Sequence, residues 1–165
     1  MRWLCDRMLE RLARWLRAAG HDAASAPEGA PDAELMRMAE REERILLTRD
    51  RALAARPGGL VLLIEGEDGA EAEALDLGRK RPELDWRLAP FTRCLMDNAL
   101  LGPALPGDLA RMPGKAQALE GPFRICPACG RLYWPGSHVK RMSARLDRFA
   151  AAQSLGAGRR SGPGA

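Results

Sequence analysis

Two sets of side chains in this sequence have the types and spacing to do chemistry. One is Cys126-Pro-Ala-Cys129-Gly130, where two thiolates separated by two residues can grip one tetrahedral zinc and the glycine permits the turn. A second Cys-x-x-Cys should complete such a site, and the chain offers Cys94-Leu-Met-Asp97 in its place. The expected ligands are therefore Cys94, Asp97, Cys126 and Cys129, with His138 as an alternative to Asp97. The competing reading is a metal-free hairpin whose thiols act as small apolar groups. Cys5 lies within an apolar strand and reads as core.

The other set is acidic: Asp6, Asp32 and Asp50. Each stands where a helix is expected to begin, so each taken singly reads as a helix cap. Together they suggest more. Converging carboxylates repel one another and are best tolerated around a cation, and hard oxygen donors suit Mg²⁺ or Mn²⁺. Such an ion lowers the pKa of a bound water and clamps a phosphodiester, which is nuclease chemistry. Arg49 and Arg51 flank Asp50, and Arg7, Arg11, Arg14 and Arg17 recur along the first helix as a stripe that can track phosphates, or simply face solvent.

The elements that must position these residues follow from hydrophobic periodicity. Strands are expected at 1–5, 22–26, 45–48 and 60–64. Helices are expected from Asp6 to Gly20, from Asp32 to about Glu43, briefly after Arg51, and from Gly69 to Arg81. Strands alternating with helices imply a parallel sheet with helices on both faces, an α/β fold for residues 1–88. All strands of such a sheet end on one edge, where ligands bind, and that edge receives the three aspartates if the first and third strands are neighbours. From residue 89 to 154 the texture turns to Pro, Gly and Cys and ends in a helix from about His138 to Ser154. Residues 155–165 read as a disordered tail.

Composition narrows the function. Of 165 residues, 46% are hydrophobic and 29% charged, enough for a packed core, and the net charge is +4. Residues 1–89 hold 15 basic and 18 acidic side chains and residues 90–165 hold 11 and 4, so the basic excess sits in the second part, as for an anionic partner. No apolar run reaches the roughly 18 residues of a membrane span, and charges at Arg2, Asp6 and Arg7 interrupt any signal-peptide core. A cytoplasmic protein without membrane partners is expected.

Other chemistries of this architecture fit poorly. A receiver domain needs a lysine after a late strand, and Lys80 and Lys115 are misplaced. A dehalogenase-like phosphatase needs Asp-x-Asp, against Asp6-Arg7-Met8 here. No Gly-rich loop follows a strand, so no small-molecule cofactor is expected, and with only His21 and His138 a nucleophile triad is not. His21, just past Gly20, reads as a surface loop residue.

In order along the chain, Asp6-Arg-Met-Leu9, Leu12-Ala-Arg-Trp-Leu-Arg17, Gly20-His-Asp22, Asp32-Ala-Glu-Leu35 and Ile45-Leu-Leu-Thr-Arg-Asp50-Arg51 resemble the PIN-like Mut-seven C-terminal RNase domain family. So do Arg93-Cys94, Asn98, the Cys126 knuckle and Tyr133-Trp-Pro-Gly-Ser-His138. The resemblance implies a PIN-like fold joined to a zinc ribbon and a metal-dependent ribonuclease site. In that site Asp6, Asp32 and Asp50 match the acidic positions and Thr48 the Thr of Thr-x-Asp. The family's ribbon usually carries four cysteines, and Asp97 replaces one.

The expectation is thus a Mg²⁺- or Mn²⁺-dependent ribonuclease with a structural zinc, acting on RNA held by Arg11, Arg14, Arg17, Arg49 and Arg51. A non-catalytic RNA-binding or toxin-like module on the same fold is the alternative. Tyr133 and Trp134 either stack on unpaired bases or pack the ribbon onto the first domain.

Overall fold

The computed structural model describes residues 1–66 and 69–158. Four parallel strands, β1 (Arg2–Cys5), β2 (Asp22–Ser25), β3 (Ile45–Thr48) and β4 (Val61–Leu63), lie in the order β2-β1-β3-β4. The first and third strands are therefore neighbours, with Trp3 opposite Ile45 and Cys5 opposite Leu47. Side chains alternate between faces along a strand, and two cores result. Trp3, Cys5, Ile45 and Leu47 point to one face, Leu4 and Leu46 to the other.

The first face is covered by α1 (Glu10–Ala18) and α4 (Ala70–Lys80), the second by α2 (Asp32–Arg41) and α3 (Arg51–Ala54). Asp6 does not open α1 directly, because a 3-10 turn, Arg7–Leu9, intervenes. α1 buries Leu12, Ala13 and Leu16, as the spacing predicts. It stops at Gly20, whose φ of +99 suits glycine and where a Cβ would collide with the Ala89 carbonyl. The amides of Ala89 and Phe91 donate to the carbonyls of Ala19 and Ala18, so the segment after α4 caps the end of α1.

His21 departs from its expected surface position. It is 4% exposed, its Nε2 lies 2.8 Å from the Asp85 carbonyl, and its ring meets Trp3 edge-on. Burial holds its pKa below the ordinary value. A residue after a helix-ending glycine reads as loop, but here the 85–91 segment folds over it.

Beyond residue 89, β5 (Gly102–Pro103), β6 (Arg124–Ile125) and β7 (Leu132–Tyr133) form a small antiparallel sheet, with the short helices α5 (Pro106–Leu109) and α6 (Gly114–Gln117) between β5 and β6. The last helix, α7 (Ser137–Gly158), extends past the expected end at Ser154, and the remainder of the tail, 159–165, lies outside the described residues. Expected within the ribbon module, α7 instead inserts Met142, Leu146 and Phe149 into the core shared by α1 and α4. Phe149 packs edge-on against Trp15 with ring centroids 5.4 Å apart. Among the described residues no helix is long and apolar enough to cross a membrane.

Candidate active site and metal knuckle

In the order β2-β1-β3-β4 the chain turns outward in opposite directions from β1 and β3, so the gap between their ends is the topological switch point where α/β sheets place ligands. Asp6 follows β1 and Asp50 follows β3. Thr48, fully buried at the end of β3, joins them: its Oγ1 donates to Asp6 Oδ2 at 2.8 Å and accepts from the Asp50 amide at 3.0 Å.

The capping reading holds for only one of the three aspartates. Asp50 Oδ1 accepts from the amides of Ala52 and Leu53 and caps α3. The Asp6 side chain makes no cap hydrogen bond. Asp32 is the first residue of α2, one past its N-cap Pro31, and its Oδ2 lies 2.9 Å from Arg56 Nη2. Among the described residues the three carboxylates do not meet as one ligand set within 4.8 Å, the span that the thiol cluster below satisfies.

The arginines divide. Arg11, Arg14 and Arg51 are exposed, and Arg49 is half-buried with Nη1 3.8 Å from Glu73 Oε1. Arg17 corrects the expected stripe. It is 1% exposed and donates to the carbonyls of Ala23, Leu95 and Met96 and to Ser25 Oγ, leaving no face for a phosphate. Six residues on from Arg11, it is rotated by about 120° around the helix, away from solvent.

Sequence reading missed Glu73. It lies on α4, 4% exposed, with Oε2 lacking a hydrogen-bond partner among the described residues. Burial raises its pKa against the pull of Arg49 and Arg11. Within a polar, Ala-rich helix its sequence carries no signal of this.

The second set does converge. Cys94, Asp97, Cys126 and Cys129 present ligand atoms within 4.8 Å of one another. Cys94 Sγ and Cys129 Sγ are 3.8 Å apart, and Cys126 Sγ lies 3.2 Å from Asp97 Oδ1. Two matching turns create this. Asn98 N donates to the Cys94 carbonyl and Gly130 N to the Cys126 carbonyl, and both Asn98 (φ +68) and Gly130 (φ +66) are left-handed. Asn and Gly are the residues that adopt that conformation most readily. Asp97 thus occupies in its turn the place that Cys129 holds in the other. Burial would raise the Asp97 pKa, but the thiols of Cys129, Cys94 and Cys126 hold it at about 2. Three sulfurs and one carboxylate oxygen suit tetrahedral zinc, and the cluster can hold one. His138 is exposed and not part of it.

An α/β domain with a parallel sheet, helices on both faces and a thiol-rich knuckle ahead of a C-terminal helix is the architecture of a PIN-like domain joined to a zinc-ribbon module. The chain belongs to the Mut7-C RNAse domain family, whose family model matches residues 1–146. No curated protein and no solved structure matches it.

Proposed function

We propose that this protein is a metal-dependent ribonuclease whose site lies at the switch point between β1 and β3. The observation that carries the reading is the Asp6–Thr48–Asp50 chain of hydrogen bonds at that edge, in a member of an RNase family. Mg²⁺ and Mn²⁺ are commonly bound through one or two carboxylates with water completing the shell, a demand that Asp6 and Asp50 suit without Asp32 as a direct ligand. When bound, the ion supplies an activated water and neutralises charge on the phosphate. Thr48 orients the Asp6 carboxylate, Asp50 faces the edge from the start of α3, and Arg49 and Arg51 flank it to receive the RNA backbone. Asp32 is paired with Arg56. The zinc knuckle has a structural role.

The test is cleavage of labelled single-stranded RNA with and without added Mn²⁺, beside Asp50→Asn. Asparagine is also a good N-cap, so this variant keeps α3 and loses only the charge. Equal cleavage by both proteins would sink the assignment. The second reading, a non-catalytic RNA-binding module, draws on the Asp32–Arg56 ion pair, which neutralises one expected acid. It predicts RNA binding with no Mn²⁺-dependent cleavage.

A further inference from the structure

A groove of ≈ 930 Å³ opens between α1, the turn after β7 and the start of α7. Among the described residues its charged lining is Arg11, Arg14, Arg131 and Arg145 against one carboxylate, Glu71. Glu71 already pairs with Arg145 at 3.0 Å and Arg148 at 3.9 Å. Arg14 lies 3.8 Å from Glu10 in an exposed ion pair of the kind that contributes little and that a phosphate can displace. Arg11 and Arg131 are exposed, and the floor is apolar, with Leu132, Val139 and Met142.

Three aromatic rings line the groove, and their contacts sort them. Trp15 is buried against Phe149, with Arg145 5.8 Å from its ring. Tyr133 is committed to the knuckle, its hydroxyl 3.1 Å from Cys94 Sγ and 3.0 Å from the Leu95 amide. Trp134 is half-buried and rests on Gly136, where a Cβ would stand 2.8 Å from its Nε1. It is the ring left to meet a ligand.

We infer that this groove seats an unpaired RNA strand, with Trp134 stacking a base and Arg11, Arg14 and Arg131 holding phosphates. The inference rests on the ribonuclease reading and deepens it by naming the single strand. A flat ring over an apolar floor takes the face of a base, which a duplex keeps stacked inside. Arg11 lies on α1, which follows Asp6 after the single turn Arg7–Leu9, so the basic wall of the groove starts close in the chain to the Asp6–Asp50 edge. An acidic peptide would use the arginines but has nothing for Trp134 to stack.

The experiment is fluorescence anisotropy of a short labelled oligouridylate and an RNA duplex of equal length. The full chain carries Asp50→Asn, and the buffer holds no added Mg²⁺ or Mn²⁺. Binding then stands or falls separately from cleavage, and zinc is not stripped. The single strand should bind about ten-fold tighter than the duplex, and Trp134→Ala should remove about that factor while Trp134→Phe restores most of it. Arg11→Ala and Arg131→Ala should each weaken binding and flatten the salt dependence by a slope of about 0.7 per lost phosphate contact. Duplex bound as tightly as single strand, polyglutamate competing as well as RNA, or unchanged affinity and salt slope in both arginine variants would overturn the proposal.

Discussion

Asn98 donates its side-chain amide to Asp22 Oδ1 across 2.7 Å, tying the thiol knuckle to the edge strand β2. The same side chain accepts from the Ala23 amide at 3.0 Å, and Arg17 reaches the carbonyls of Leu95 and Met96 from α1. The turn that carries Cys94 and Asp97 is thereby held against the parallel sheet.

Removing this tie should destabilise the whole chain. Asn98→Ala loses a hydrogen bond to a charged group, about 2 kcal/mol, and leaves a side chain that, unlike asparagine's, is disfavoured at a left-handed φ, about 1 kcal/mol more. Asn98→Gly should lose only the first, so comparing the two in urea separates them.

Asp22 predicts an acid limb of stability. Burial pushes its carboxyl up, but hydrogen bonds from Arg44 and Asn98, with the charges of Arg44 and Arg93, bring it from an ordinary 3.8 to about 2. Arg2 adds a contact at 3.3 Å. Because the folded state favours the charged form, the contribution is full above about pH 4 and is lost as pH falls toward 2. It is worth about 2 kcal/mol at 1.36 kcal/mol per unit. Asp22→Asn should flatten stability across that window in urea titrations, and an unchanged pH profile would refute it.

Thr48 is a positioning residue for the proposed cleavage. Thr48→Val keeps the buried shape but leaves Asp6 and the Asp50 amide without their shared partner, at a stability cost of about 1–3 kcal/mol. Cleavage should fall about ten-fold or more, and Thr48→Ser should recover most of it. Full activity in the valine variant would remove Thr48 from the site.

Asp97→Cys should tighten zinc, since thiolate is the softer donor, and raise the melting temperature, because binding to a preformed site adds to folding free energy. Cys126→Ser should do the reverse. Metal analysis with parallel melts decides the point: no zinc in the native protein and no loss in Cys126→Ser would mean that the hairpin stands by packing alone.

Glu73→Gln should stabilise the protein at neutral pH. The buried carboxyl has a raised pKa, so its ionisation opposes folding: the cost is absent below the ordinary 4.5, grows as pH rises, and is complete above the raised value. The variant should melt at a higher temperature than the native protein at pH 7 and gain nothing near pH 4. Arg49, a third exposed, keeps water as its partner. A lower melting temperature at pH 7 would show that the Arg49 contact outweighs burial.

Features encoded by neighbours in sequence were readable without the fold. The apolar run Ile45-Leu-Leu-Thr48 forms a buried strand, and parallel strands send Asp6 and Asp50 to one edge. The two five-residue turns place Cys94 with Asp97 and Cys126 with Cys129, because two ligands three positions apart are set side by side by the local backbone alone. Tertiary structure decided the rest. Whether Arg17 meets solvent depends on what packs beside α1, and the answer comes from Leu95 and Met96, 78 and 79 residues away. Asp32 meets Arg56, His21 is covered by the 85–91 segment, Glu73 is buried near Arg49, distant from it in sequence, and α7 returns to α4. Each outcome depends on the rotation of a helix or the path of a distant loop, and those are set by packing of whole elements rather than by local spacing.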